Sequence, residues 1–496
     1  MIHYILSITI WSPILAGILV LFAGKNDGLA RAISLIGALF AFIVSLFLFI
    51  DFNSSTAALQ FTEFMPWISS LNINYALGID GISMPLVILN NFITLLVIIA
   101  SFRVIHYKVA LYNSMFLIMT GLISGAFCAT DAMLFYVFFE AMLIPMYLII
   151  GVWGASNRVY AAIKFFLYTL LGSLLMLVGL IYLYFLSGKN FDLFAYYRLK
   201  IALLPQILLF IAFFFSFAVK VPMWPVHTWL PDAHPEAPTG GSMVLAAITL
   251  KLGGYGFFRF MLPIVPDASR YLANVMITLS LVAIIYISLV AIVQKDMKKL
   301  VAYSSIAHMG FVTLGTFLFT GYVLNTWAMQ GAIVQMVSHG FISAAMFMCI
   351  GVMYERIHSR NIADYGGVAS KMPIFAAFFM LFAMANSGLP GTSGFVGEFM
   401  VIMGAVQTKL IYGVLAGTTL VLGAGYNLWM YKRVIFGKVT SRHVAQMKDV
   451  DIYEFIVLAA LAVMVLVFGL YPQLLVAKIE PSVNNLIAIV ASSKLY

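Results

Sequence analysis

Long apolar runs separated by short polar breaks fill this chain almost from end to end. A helix rises about 1.5 Å per residue, so about 20 apolar residues are needed to cross the hydrocarbon of a bilayer. The runs predict spans over 2–23, 29–50, 82–105, 111–130, 132–153, 160–186 and 205–229. Others follow over 240–262, 271–293, 299–320, 325–353, 371–405, 410–436 and 454–472, about 14 in all. The stretch 475–492 is apolar but short, and reads as an interfacial segment. Residues 1–22 lack a basic start and a small-residue cleavage site, so they read as a first span, not a removed leader. The longest polar break, 51–81, carries Asp51, Glu63 and Asp80 and no Lys or Arg.

Two runs contain helix breakers. Pro222 and Pro225 interrupt the seventh span, in FAVKVPMWPVHTWLP. Pro390, Gly391, Gly394 and Gly397 interrupt the twelfth, in LPGTSGFVGEF. Broken backbone at membrane depth is tolerated only where protein or water surrounds it. The segments 111–262 and 271–436 hold five spans each, and an odd number inverts the second relative to the first. The expected fold is therefore all-α and polytopic, with two inverted five-helix repeats. It forms a single membrane domain, in which 1–110 flanks the first repeat and 437–496 follows the second.

Composition agrees. The chain is 63% hydrophobic and 9% charged, with a mean hydropathy of +1.05, whereas soluble domains are nearer a quarter charged. The net charge of +9 lies in short loops between apolar runs, which is a topology signal and leaves no polar domain to bind nucleic acid. Lys and Arg favour the odd-numbered loops, for example Lys295, Lys298 and Lys299, so those loops are expected to be cytoplasmic and both termini on the opposite side. Cys128 and Cys349 stand far apart, without metal-ligand spacing, and no phosphate loop or dinucleotide fingerprint occurs. No cofactor is expected in this chain.

Ionisable groups inside the spans carry the functional signal. Each costs about 2.5–3.5 kcal/mol at mid-helix on insertion scales, so each must be paired, hydrated or useful. Glu140 sits well inside the fifth span, Lys220 beside the break in the seventh and Lys251 near mid-depth in the eighth. Glu398 follows the break in the twelfth, and His308 and His339 lie in adjacent spans. Such a set suits protons moving between sites of adjustable affinity. His227, Asp232 and His234 gather after the seventh span, as either a mouth for proton uptake or a solvated loop.

Three segments carry a family resemblance: KVPMWPVHTWLPDAHPEAPTGGSMVLAAITLKLGGYG, QKDMKKLVAYSSIAHMG and LPGTSGFVGEF. They resemble the antiporter-like membrane subunits of respiratory complex I and of multisubunit sodium/proton antiporters. The resemblance implies proton translocation coupled to NADH oxidation by quinone. Glu140 and Lys220 would form a pair, Lys251 a central relay, and Glu398 the residue toward the exit. His308 and His339 would lie on the axis between them. It implies flavin, iron–sulfur clusters and quinone in partner subunits. The partners would be other complex I membrane subunits, above all homologous antiporter-like ones, in a bacterial inner membrane or an equivalent respiratory membrane. Related subunits usually place a lysine at the position of Glu398, which narrows the resemblance to one complex I subunit type. It points away from the alternatives, a sodium/proton antiporter or a membrane-bound hydrogenase. On charge alone, a lysine at 398 is expected to serve better than an alanine.

Overall fold

The computed structural model describes residues 4–439 and 441–495. The predicted start of the first span at residue 2 thus lies outside the described residues. Helices α1 (Ile5–Leu21) and α2 (Asp27–Ile50) lead into a hairpin of β1 (Gln60–Ile68) and β2 (Ile73–Ile79). Then come α3 (Met84–Val104), α4 (Val109–Cys128), α5 (Ala132–Ala141), α6 (Leu143–Trp153), α7 (Arg158–Leu186) and the short α8 (Leu193–Arg198). α9 (Leu203–Lys220) and α10 (Leu230–Glu236) are followed by α11 (Thr239–Val244), α12 (Leu250–Gly256), α13 (Leu262–Ile264) and α14 (Pro266–Tyr271). α15 (Ala273–Ile292) and α16 (Met297–Thr316) precede a two-residue hairpin, β3 (Phe319–Thr320) with β4 (Val323–Leu324), and the long α17 (Thr326–Ile357). The chain closes with α18 (Pro373–Asn386), α19 (Ser393–Thr408), α20 (Leu410–Gly417), α21 (Thr419–Ile435), α22 (Arg442–Ala445), α23 (Ile452–Leu470) and α24 (Gln473–Ala491).

Among the described residues, twelve helical stretches are long and apolar enough to cross a membrane, and α1 and α18 are shorter apolar helices. α16 carries Lys298 and Lys299 at its start, where the Asp296 carboxylate accepts from the backbone N–H groups of both (2.7 and 3.2 Å). That cap fixes where the helix begins. α17 is buried through its middle, from Ala328 to Met353, and packs against α3, α11, α16, α18, α19, α23 and α24.

Both expected breaks appear. α9 stops at Lys220, because Pro222 has no N–H to give the Ala218 carbonyl. Met223 N takes that carbonyl at 2.7 Å, and the Trp229 indole takes the next, Val219 O, at 2.8 Å. The twelfth span divides into α18 and α19. Gly388, at φ +78°, closes α18: its N–H donates to Ala385 O and that of Leu389 to Met384 O. This paired arrangement needs a left-handed residue at that point, which glycine supplies.

Three features differ from a reading of regular spans. The fifth span is interrupted at Met142, since Pro145 cannot donate to Ala141 O. The eighth contains two π-helical turns, Leu245–Thr249 and Phe257–Met261, on either side of α12. The polar break at 51–81 contains a β-hairpin, β1 paired antiparallel with β2, which Glu63 ties to the start of α1 by accepting from the Leu6 N–H (2.8 Å). α24 makes its polar contacts with helix ends on the hairpin side: Lys478 with Phe49 O (3.1 Å), Ser482 with Gly81 N (2.9 Å) and Val490 O with Arg270 (2.6 Å).

Candidate functional site

Lys251 is fully buried in α12, between the two π turns. Its Nζ donates to Ala246 O (2.5 Å), within the first π turn, and lies 2.7 Å from His339 Nδ1 on α17. The close packing of α12 on α9 requires glycine at 253. A Cβ there would come within 2.7 Å of Phe217 O and 2.9 Å of Lys220 Cβ. The central lysine and the lysine at the helix break therefore sit on touching elements.

His339 and His308 face one another across α17 and α16, with ring centroids 5.7 Å apart. His308 Nδ1 lies 2.5 Å from Glu398 Oε1, and Gln335 Nε2 donates to the same oxygen at 3.2 Å. Glu398 is 3% exposed. The remaining ring nitrogens, His308 Nε2 and His339 Nε2, are buried and have no protein partner. The four side chains thus form a chain with one gap, Lys251–His339 and His308–Glu398. Behind Glu398, Asn386 Nδ2 donates to Ser304 Oγ and Asn427 Oδ1, each at 3.0 Å, tying α18 to α16 and α21.

Glu140 and Lys220 lie near each other but are not in contact. Each acts electrostatically on the other, yet no nitrogen–oxygen distance falls within 4.0 Å. Neither carboxylate oxygen of Glu140 completes a hydrogen bond of good geometry, and Lys220 Nζ has no hydrogen-bond partner. Lys220 instead faces the Phe139 ring at 4.8 Å and the Phe165 ring at 6.0 Å. A buried ammonium held over ring faces keeps part of its stabilisation when its counter-ion moves.

The residues after the seventh span separate. Asp232 is half-exposed and ion-paired to Lys164 at 2.5 Å, so it is engaged by α7. His227 is half-buried in the connecting loop, with Nδ1 lacking a partner. His234 is fully buried, stacked on Phe347 at 4.5 Å, with both ring nitrogens unpartnered. It lies within the electrostatic reach of both Lys298 and Lys251. Lys298 donates to Ala237 O (2.6 Å) and lines a cavity of about 270 Å³ with Trp153, Glu236, Glu355 and Arg360. Of the predicted set, then, Lys251, His339, His308 and Glu398 converge, Glu140 and Lys220 form a second group, and His234 alone of the loop residues points inward.

Three participants went unnoticed in the sequence. Gln335 precedes His339 by four residues, so both lie on one helix face, and that spacing was the available signal. The π turns around Lys251 left none. The third is Arg259 in the second π turn, paired with Asp80 at 2.7 Å; both side chains are nearly buried. Among the described residues no cluster of His, Cys, Asp and Glu could hold a metal.

The chain is similar in sequence and fold to known proteins. The family profile described as NADH:quinone oxidoreductase/Mrp antiporter, TM, matches residues 129–423. That described as NADH-ubiquinone oxidoreductase chain 4, amino terminus, matches residues 8–130. NADH-quinone oxidoreductase subunit M of Rhodobacter capsulatus is 46% identical over 97% of this chain and 96% of its own. A chain of respiratory complex I from Thermus thermophilus with bound NADH superposes with a TM-score of 0.89. It is 28% identical, over 98% of this chain and 99% of that one. A chain of the Mrp complex from Dietzia sp. DQ12-45-1b shares the fold alone, at 21% identity and a TM-score of 0.82, over 99% of this chain and 52% of that one.

Proposed function

The chain belongs to the subunit M and chain 4 family of NADH-quinone oxidoreductase, membrane subunits of a proton-translocating enzyme, and from that premise we propose how protons pass through it. They load near the Lys298 cavity and reach His234. They are held at the Glu140–Lys220 pair and at Lys251, and leave along His339, His308 and Glu398. The observation that carries this reading is the buried chain of Lys251, His339, His308 and Glu398, with its 2.7 and 2.5 Å contacts at the two ends.

The chemistry follows from the groups. A lysine, two imidazoles and a carboxylate can each hold or release a proton, and each contact is short enough for transfer. The two unpartnered Nε2 atoms mark the step that closes only when the rings approach or a water joins them. Glu140 and Lys220, apart and not hydrogen-bonded to each other, supply the switch. Bringing them together favours both charges, and separating them makes the lysine a readier donor and the carboxylate a readier acceptor, so each can pass a proton on to its own neighbours.

The flavin, iron–sulfur clusters and quinone of the reaction belong to partner subunits, the neighbours in the membrane being other antiporter-like subunits. The 111–262 and 271–436 units act as two half-channels, and both termini lie on the non-cytoplasmic side of the inner membrane. The test is NADH-driven proton pumping by the whole complex carrying Lys251→Ala. Loss of pumping in an assembled complex is expected; normal pumping would rule the relay out.

A further inference from the structure

α3 lies outside the relay, yet its largely apolar buried surface carries a polar cluster. Asn90 Nδ2 donates to Thr120 O (2.8 Å) and to Ser124 Oγ (2.9 Å), and Asn91 Nδ2 donates to Val87 O (2.9 Å) and, at 3.5 Å, to Ser124 Oγ. Thr94 and Thr120 hydroxyls meet at 2.6 Å, and Thr120 also donates to Phe116 O. All five side chains are at most 2% exposed. The donors and acceptors do not balance. Ser124 Oγ receives two N–H groups, so its own hydrogen must go elsewhere. Asn90 Oδ1 and Asn91 Oδ1 accept nothing from the protein. A buried amide oxygen left unsatisfied is costly, and a water needs two to four polar partners of this kind.

The cluster lies level with the central lysine. α3 runs antiparallel to the eighth span, in a register fixed at three points. A methyl group at Gly240 would touch Val97, one at Gly340 would touch both Leu89 and Ala247 O, and Asp80 pairs with Arg259. Ala246, whose carbonyl holds Lys251, is therefore at the depth of Asn90 and Asn91. Lys251 makes two hydrogen bonds, to Ala246 O and His339 Nδ1, so the third N–H of its ammonium is uncommitted. An uncommitted donor and two unsatisfied acceptors thus lie at one depth.

We propose that Asn90, Asn91, Thr94, Thr120 and Ser124 form an internal water site between α3 and α4 whose water completes the hydrogen bonding of Lys251. Asn91 and Ser124 are then positioning residues for the relay. They favour the charged lysine through a bridging water and never touch the transferred proton themselves. The charged and titratable groups around Lys251 are His339 on α17, His308 beyond it on α16, His234 on α10, and Lys220 on α9, the helix that packs against α12. At this depth α3 and α4 contribute only amides and hydroxyls, so the site tunes Lys251 without adding a charge.

The functional half of the proposal rests on the relay reading, and the experiments separate the two. In the intact complex, imaged finely enough to see waters, density within hydrogen-bonding distance of Asn90 or Asn91 Oδ1 is expected. Closure of both oxygens onto protein donors would overturn the site. For function, Asn91→Leu and, independently, Ser124→Ala should move the alkaline limb of the pumping–pH profile down by about one pH unit, the size expected for one lost hydrogen bond to a charged group. Asn91→Ser should restore most of that shift. A profile that stays in place in both variants, while Lys251→Ala abolishes pumping, overturns this proposal alone. Pumping that survives Lys251→Ala overturns the relay with it.

Discussion

Replacing Glu140 by Gln removes one charge and little volume, which makes it the sharpest probe of the first pair. At an effective dielectric of about 20, unit charges 4 Å apart attract by about 4 kcal/mol. Glu140 and Lys220 are farther apart than that, so about 2–3 kcal/mol of the ammonium's stabilisation is lost with the carboxylate. That corresponds to a roughly 30- to 150-fold fall in how readily Lys220 keeps its proton. The Phe139 ring at 4.8 Å remains and retains about 1 kcal/mol, so the charged lysine is disfavoured but not forbidden. In the proposed function NADH oxidation belongs to partner subunits, so the assay must read both quantities in the same inverted membrane vesicles: NADH consumption, and quenching of a pH-sensitive dye. The expected result is a normal amount of assembled complex with pumping per NADH reduced at least several-fold, and a similar loss in Lys220→Ala. Normal pumping per NADH from a fully assembled Glu140→Gln complex would refute the role given to this pair.

Two further outcomes test the frame around the relay. Arg259→Leu leaves Asp80 buried opposite an apolar side chain. Breaking such a pair costs about 3–5 kcal/mol, toward the lower end here because Ile82 N and Ser83 N still donate to Asp80. Subunit abundance in membranes and the thermal stability of the complex should both fall; an unchanged melting profile would show that the pair is dispensable. Asp131 accepts from Met133 N and Leu134 N at the start of α5 and from Asn74 N of the hairpin. Burial pushes its carboxyl from 3.8 up to about 6. The folded chain then holds that proton to higher pH than the unfolded one, so stability declines as pH rises from 3.8 to about 6 and is level above it. Asp131→Asn keeps an acceptor oxygen and should abolish that slope in thermal melts, whereas Asp131→Ala should lose about 1 kcal/mol of capping at all pH values.

What the sequence made legible is what costs most in hydrocarbon. Apolar runs of bilayer length, prolines at 222 and 390, and six titratable groups at depth are each expensive unless the fold uses them, so each stands out in one dimension. Geometry set by packing left no such mark. The π turns beside Lys251 lie where the eighth span packs on α9 and α17, and the local string LAAIT is compatible with an ordinary helix. The hairpin at 60–79 was hidden because β1 is largely exposed while β2 is buried or half-buried throughout, so neither strand shows a strict alternation. The loop residues were the hardest to rank. Asp232 and His234 are two positions apart, but one side chain reaches Lys164 and the other is buried against Phe347. Only the three-dimensional course of α10 decides which of them can meet Lys251.

The glutamate at 398 has a consequence that charge alone does not predict. Lys251, if charged, can only donate, so His339 Nδ1 must accept and the neutral ring keeps its hydrogen on Nε2. Glu398, if ionised, can only accept, so His308 Nδ1 carries a hydrogen and its Nε2 presents a lone pair. The two end groups thus fix complementary tautomers at the facing rings, and every hydrogen from Lys251 to Glu398 points the same way. A lysine at 398 would donate to His308 Nδ1 and force a hydrogen onto His308 Nε2, opposite the Nε2–H of His339. One buried donor would then be stranded, at about 1–3 kcal/mol, or roughly a 5- to 150-fold loss in the population of the connected chain. Glu398→Asp, by contrast, keeps a carboxylate that accepts and can carry the proton, and so keeps the sense of the chain at the cost of a shorter reach. The expected order of pumping per NADH at matched assembly is wild type, then Glu398→Asp, then Glu398→Lys, against a rule in which any titratable group suffices. Should Glu398→Lys match or outperform Glu398→Asp, the ordered hydrogen-bond chain is not what moves the proton.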